Sequence, residues 1–258
     1  MHVDVAFGAA SVSPADVAGR FVVVIDVLRA STTMVTALAA GARGVVPCES
    51  AEDAVSRARA FDRSEVRLGG ERRMQRIDGF ELGNSPSEYT VSSVGGRTVM
   101  LTTTNGTSAL LATSGAEQVF VAGLVNAQAT VAAVRQSRRA LGRGDVLIIA
   151  AGQERRFALE DAVCAGRIAR AVIRAMSGAT LGDGARTAAL LHVRYGAALD
   201  RLATDARHAI ALRDAGFADD VADCFALDRV PVVAQYVDRM VTRWAPPIAR
   251  RPARATAT

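Results

Sequence analysis

Two apolar runs in this chain each end in a dense set of oxygen and guanidinium groups. Phe21-Val22-Val23-Val24-Ile25 leads into Asp26-Val27-Leu28-Arg29-Ala30-Ser31-Thr32-Thr33, and Thr98-Val99-Met100-Leu101 leads into Thr102-Thr103-Thr104-Asn105-Gly106-Thr107. Each reads as a strand, a small polar turn and the start of a helix. Ligands of α/β sheets sit at the carboxyl ends of strands, where helix N-termini present free N–H groups and a positive dipole end, so these turns suit phosphate or carboxylate. Asp26 follows a run too apolar to be exposed on either face. A buried carboxylate there needs a partner, and a salt bridge to Arg29, a role in capping the next helix, and a bound metal ion all satisfy that need. Glu71 and Arg72 follow Gly69-Gly70, whose glycines could let the backbone approach a ligand, although alone this tetrad reads as a solvated turn. Glu160 and Asp161 open a long helical pattern, where acids ordinarily serve the helix dipole. That helix follows a strand expected to share Asp26's edge of the sheet. Carboxylates converging there from two or three loops would form an oxygen-rich site suited to Mg²⁺, which takes few carboxylates, several waters and a substrate phosphate.

The elements that must position these groups alternate. Strands are expected at 3–7, 21–27, 44–47, 66–68, 98–101, 118–122 and 145–150, and helices at 31–40, 107–113, 127–141 and 158–176. Ser50 begins a further helix in a capping-box-like arrangement with Asp53, and Ser85-Pro86-Ser87-Glu88 has the form of a helix start. The stretch 69–84 is too polar and glycine-rich for a core element and reads as a long irregular loop of the functional kind. From 185 to about 215 the pattern is helical, until Asp228-Arg229-Val230-Pro231-Val232-Val233 breaks it. The fold class is therefore α/β, a mostly parallel sheet with helices on both faces and a helical C-terminal third. Residues 1–244 read as a single domain, and 245–258 as a basic, flexible tail.

Composition removes several mechanisms. All 31 basic residues of the 258 are arginine, so there is no Schiff-base lysine and no lysine-bearing P-loop. Such arginine-only usage, beside abundant alanine and glycine, looks like genomic bias and weakens any functional reading of the +5 charge. With 5% aromatic residues, nothing supports nucleic-acid binding. No apolar run approaches the roughly 18 residues of a membrane span, and Met1-His2-Val3-Asp4 does not resemble a signal peptide, so a cytoplasmic location is expected. Cys48, Cys164 and Cys224 are too far apart for a zinc motif and read as buried free thiols. His192 and His208 read as partly exposed surface residues of the helical C-terminal third. A Cys-x₅-Arg loop, a haloacid-dehalogenase acid pair after Asp26 and a G-x-S-x-G elbow are all missing.

Five stretches occur in a fixed order: Asp26 to Thr33, Gly69-Gly70-Glu71-Arg72, Gly79 to Tyr89, Thr103-Thr104-Asn105-Gly106-Thr107, and Leu159 to Gly166, followed later by Gly216 to Cys224 and Val230-Pro231. Together they resemble the 2-phosphosulfolactate phosphatase family over nearly the whole chain. The resemblance implies a Mg²⁺-dependent phosphatase that hydrolyses (2R)-2-phospho-3-sulfolactate to sulfolactate and phosphate, a step of coenzyme M biosynthesis in some organisms, and a homodimer. With the residue reading it leads us to expect these roles: Asp26 holding Mg²⁺ with help from Glu71, Glu160 or Asp161; Arg29 and Arg72 clamping anionic oxygens; Asn105 acting beside them; and Ser31, Thr32, Thr33, Asn84, Thr104, Gly106 and Thr107 contacting substrate. The loop Arg73-Met74-Gln75-Arg76 departs from the family, which more often has glycine and fewer charges there, and bears on the sulfonate. Two other readings remain open at this point. One is a phosphatase for another small phosphorylated hydroxy acid, and the other is a non-catalytic binder of an anionic metabolite.

Overall fold

The computed structural model describes residues 1–141, 144–154 and 156–246. Its strands are β1 (His2–Phe7), β2 (Phe21–Ile25), β3 (Gly44–Pro47), β4 (Val66–Arg72), β5 (Gln75–Arg76), β6 (Thr98–Thr102), β7 (Gln118–Ala122), β8 (Val146–Ala150), β9 (Thr180–Leu181), β10 (Ala234–Val237) and β11 (Met240–Arg243). They join into one sheet of order β5-β4-β6-β3-β11-β10-β7-β2-β8-β1-β9. One parallel block is β4-β6-β3 and the other β7-β2-β8-β1-β9. The hairpin β10–β11 lies between them, antiparallel to β7 on one side and to β3 on the other.

β2 lies inside the sheet between β7 and β8, and all five of its residues are buried. Phe21, Val23 and Ile25 face one core with Phe120, Ile148 and the helix Leu159–Ala175, while Val22 and Val24 face a second core with Met34, Leu38, Val121 and Ile149. Burial on both faces explains why this strand is a continuous apolar run rather than an alternating one. The expected α/β architecture is thus the observed one, and the C-terminal third is helical over Asp183–Tyr195, Leu199–Asp205, Arg207–Asp214 and Ala218–Phe225. No helix among the described residues is long and apolar enough to cross a membrane. The three cysteines are free and buried. The basic tail expected from 245 lies outside the described residues from 247 onward.

Three local expectations are corrected. Residues 69–84 are not irregular throughout, because β4 runs through Gly69-Gly70 to Arg72 and turns back as β5. Its glycines have a packing role. A Cβ at Gly70 would meet the Thr102 carbonyl oxygen, and one at Gly69 the Tyr89 hydroxyl, so both allow β4 to pack closely on its neighbours. The start at Ser85 yields only a three-residue 3₁₀ turn, Pro86–Glu88. Finally, the chain after Val230 does not merely break a helical pattern but returns to the sheet as β10 and β11.

Three antiparallel joints separate β3 from β7, so the two parallel blocks run in opposite senses. The loops after β2, β4 and β6 nonetheless meet, as the contacts described next show.

Candidate active site

The loop after β2 is built by its own small polar residues. The Asp26 N–H donates to Ser31 Oγ at 3.0 Å, Ser31 N–H donates to the Asp26 carbonyl at 2.9 Å, and Thr32 Oγ1 donates to the Val27 carbonyl at 2.9 Å. Thr33 Oγ1 donates to the Asn84 carbonyl at 2.8 Å. The three hydroxyls expected to meet substrate are therefore buried and tie the turn to itself and to the neighbouring loop. The peptide between Leu28 and Arg29 is cis.

Asp26 is buried, with Oδ1 accepting the Ala30 N–H at 3.1 Å. Its Oδ2 faces Gly106 at the start of the helix Gly106–Leu111, so close that a Cβ at 106 would lie 2.9 Å from it and 2.6 Å from Ala30 Cβ. Gly106, having no side chain, thus admits the carboxylate. Burial pushes the Asp26 carboxyl up to about 6; His208 and the Ala30 N–H oppose the rise, and Glu71 and Glu160 add to it.

The other acids sit around it in distinct ways. Asp161 accepts Val27 N–H on Oδ1 at 2.8 Å and Gly152 N–H on Oδ2 at 3.0 Å, locking the loops after β2 and β8 together. Burial, then Asp26 and Glu160, hold its carboxyl well above the usual range. Glu71 accepts the N–H and hydroxyl of Thr104 on Oε1 at 3.0 and 2.9 Å and the Met74 N–H on Oε2 at 2.9 Å, so it fastens the β6 loop to the β4–β5 turn. Glu160 is buried with Oε1 3.6 Å from His208 Nδ1. Among the described residues no group of three or more His, Cys, Asp and Glu side chains is arranged to hold a metal ion.

Arg29 is committed to the protein. Nη1 donates to Asp220 Oδ2 at 2.6 Å and approaches Ser85 Oγ at 3.4 Å, Nη2 donates to the Met74 carbonyl at 2.9 Å, and the guanidinium lies 4.5 Å from the Phe217 ring centroid. Arg72 turns away, toward the Thr102 hydroxyl at 3.3 Å and the Glu71 carbonyl at 3.2 Å. Asn105 Oδ1 accepts the Glu154 N–H at 2.9 Å, and Thr107 pairs with Thr103. Asn84 is held by its neighbours, since Glu88 Oε2 accepts the Gly83 N–H and Tyr89 donates to the Gly83 carbonyl. Its own Oδ1 is buried without a hydrogen-bond partner.

These groups enclose a cavity of about 120 Å³. Asp26, Arg29, Glu71, Asn84, Thr104 and Asn105 line it together, whereas Arg72, Ser31, Thr32, Thr33, Gly106, Thr107, Glu160 and Asp161 support it from outside. Sequence reasoning missed seven lining residues: Arg73, Met74, Leu28, Thr103, Gln153, Glu154 and His208. The departure of the 73–76 loop from the family pattern signalled the first two, and nothing in its helical surroundings signalled His208. A larger groove of about 700 Å³, lined by Leu110, Gln118 and Tyr236 among others, holds none of these groups.

The oxygen donors fit a small hard cation. Asn84 Oδ1 is an unpartnered buried oxygen, and Asp26 keeps Oδ2 free of any hydrogen bond among the described residues while the acids around it crowd negative charge. One carboxylate, one amide oxygen, water and a phosphoryl group together match what Mg²⁺ accepts.

Comparison with known proteins agrees with the geometry. Residues 9–239 match the family described as 2-phosphosulpholactate phosphatase. A probable 2-phosphosulfolactate phosphatase of Symbiobacterium thermophilum is 40% identical over 234 residues, covering 90% of this chain and 97% of that protein. One from Thermotoga petrophila is 36% identical over 219 residues, covering 85% and 90%. One from Clostridium botulinum (strain Alaska E43 / Type E3) is 33% identical over 236 residues, covering 92% and 97%.

Proposed function

The chain belongs to the 2-phosphosulfolactate phosphatase family, a family of phosphoric monoester hydrolases, and we propose that its own reaction is the Mg²⁺-dependent hydrolysis of (2R)-2-phospho-3-sulfolactate to sulfolactate and phosphate. The observation that carries this reading is Asp26: a desolvated carboxylate at the floor of a cavity that arginine, amide and hydroxyl groups also line. Simple capture of an anion would not place a buried acid there, because its charge opposes the ligand's.

The chain's own groups then divide the work. Asp26 Oδ2 and Asn84 Oδ1 would hold the cation, which when bound neutralises phosphoryl charge and favours attack by water. Glu71 and Asp161 act through the backbone, since their oxygens fix the Thr104, Met74, Val27 and Gly152 N–H groups. They keep the loops in register, so Thr104 and Asn105 face the phosphoryl oxygens in a preorganised frame. His208 would protonate the departing alkoxide, with Glu160 behind it. Leu28 and Met74 supply apolar wall that limits water. A cytoplasmic location, a homodimer and, in organisms that make coenzyme M, a step of its synthesis belong to the same proposal.

The test is phosphate release from racemic 2-phosphosulfolactate beside phospholactate, in Mg²⁺ and in EDTA. Release that favours the sulfonate and disappears with chelation is expected. Undiminished release in EDTA would overturn the metal requirement, and preference for phospholactate would overturn the substrate.

A further inference from the structure

Arg29, Arg72 and Arg73 lie in or beside the cavity, and the first two are committed. Arg29 is held by Asp220, Ser85 and Met74, and Arg72 points to Thr102 and Glu71. Arg73 lines the cavity, is exposed, and makes no ion pair or side-chain hydrogen bond with any described residue. It sits in an unusual place. Glu71 pairs with Arg76 and Arg72 with Gln75, which leaves Arg73-Met74 as a two-residue hairpin turn with φ of 51° and 69°. Left-handed values at both positions define a turn that ordinarily takes Asn-Gly, because side chains other than Asn, Asp or Gly are strained there. The β10–β11 turn has the same left-handed backbone, with Asp238 and Arg239 in its two positions, but lies away from the cavity. The strained turn is pinned from both sides by buried charge: Glu71 accepts the Met74 N–H and Arg29 donates to the Met74 carbonyl. Strain retained and braced in this way at a cavity marks a side chain kept for what it contacts.

We propose that Arg73, in a loop where the family more often has glycine and fewer charges, is a specificity residue of this chain's own that receives the sulfonate of the substrate; this rests on the substrate reading above. A forked guanidinium free of protein partners suits a tetrahedral anion with three oxygens. A substrate with phosphate beside Asp26 would extend its other end toward the turn, where no other uncommitted guanidinium among the described residues lines the wall.

Arg73→Asn suits the test, since asparagine tolerates the left-handed turn better than arginine and the fold should be kept, with a melting temperature no lower than wild type. It should lower kcat/KM for 2-phosphosulfolactate about 10- to 100-fold, mainly through KM, while phospholactate turnover stays within about twofold. Arg73→Lys, which keeps charge without the fork, should fall between. Equal loss on both substrates, or no loss on either, would overturn the assignment. Calorimetric titration of sulfolactate and lactate into wild type and Arg73→Asn gives a readout without turnover. If wild type hydrolyses neither ester, the substrate reading fails on its own. Sulfolactate binding that Arg73→Asn weakens at least tenfold, with lactate unaffected, would still support Arg73; no sulfolactate binding to wild type, or binding unchanged in the variant, would refute it.

Discussion

Replacing Gly106 with alanine puts one carbon atom into the tightest point of the site. The new Cβ would lie 2.6 Å from Ala30 Cβ and 2.9 Å from Asp26 Oδ2, against ordinary carbon–carbon contacts of about 3.5–4.0 Å. Relief needs about 1 Å of movement, and neither neighbour is a flexible tip. Ala30 is the first residue of the helix Ala30–Ala39, and its N–H bonds Asp26 Oδ1, so the helix start and the carboxylate must shift together. Overpacking of this kind costs about 1–3 kcal/mol, which in a chain of this size lowers the melting temperature by about 2–12 °C. A misplacement near 1 Å at the reacting centre costs on the order of 100-fold in kcat. The second variant separates the two effects. Ala30→Gly removes the closer clash and leaves the one with Asp26, so Gly106→Ala/Ala30→Gly should recover part of the stability while kcat stays low. Melting curves read the first quantity and Mg²⁺-supported phosphate release the second. Wild-type turnover in Gly106→Ala would refute the placement of Asp26 at the reacting centre. Full recovery of kcat in the double variant would shift the fault from the carboxylate to the helix.

Asp26→Asn should abolish turnover yet raise the melting temperature at pH 7. Burial pushes the folded carboxyl up to about 6, above the ordinary aspartate value of about 3.9, so the folded state keeps a proton that the unfolded chain releases between those values. Stability conferred by that proton is present at low pH and lost as pH rises from about 4 to 6, by up to about 3 kcal/mol. In EDTA, wild-type stability should fall across that window, and Asp26→Asn should fall less steeply; parallel curves would refute the burial argument. Asp161, whose carboxyl is also raised, contributes with the same sign. Asp220→Ala leaves Arg29 buried without its carboxylate, at a cost of about 3–5 kcal/mol, and urea melts should show the Arg29→Met/Asp220→Ala pair to be less damaged than Asp220→Ala alone. Glu71→Gln keeps the shape but turns one acceptor oxygen into a donor facing an N–H group, so KM should rise at least tenfold with a cooperative fold retained; unchanged KM would remove Glu71 from the positioning of the β4 and β6 loops.

Asp26 was legible because five consecutive apolar residues before it can only be a strand buried on both faces, and an acid ending such a strand has to be accounted for. The shared edge of β2 and β8 was legible for the same reason, and Asp161 bonding Val27 and Gly152 realises it. What each polar group bonds was not. A Ser-Thr-Thr run at a helix start can face a ligand or fold back on the backbone, and only the tertiary position of the Asn84 carbonyl decides that Thr33 folds back. Gly69 and Gly70 disguised β4, since a close packing of strand on strand and a loop look alike in residue type. β10 and β11 were hidden because their turn, Asp238-Arg239, lacks the glycine that marks most two-residue hairpins. His208 and Asp220 belong to helices whose patterns are those of surface helices, and their approach to Glu160 and Arg29 depends on how the C-terminal third docks.

The position of β10–β11 gives the sheet an order of assembly. Every other strand precedes this hairpin in the chain, yet it occupies the seam between β7 and β3. During synthesis both inner edges stay open until residue 243 has emerged, about 6–24 s after β7 at ordinary elongation rates. Those edges, Gln118–Ala122 and Gly44–Pro47, are short and mostly apolar, the kind that recruit foreign strands. A ribosome stalled between β7 and the hairpin would therefore present two sticky half-sheets to the chaperone system, and a chain cut at 233 would be expected to form inclusion bodies rather than a weakened enzyme.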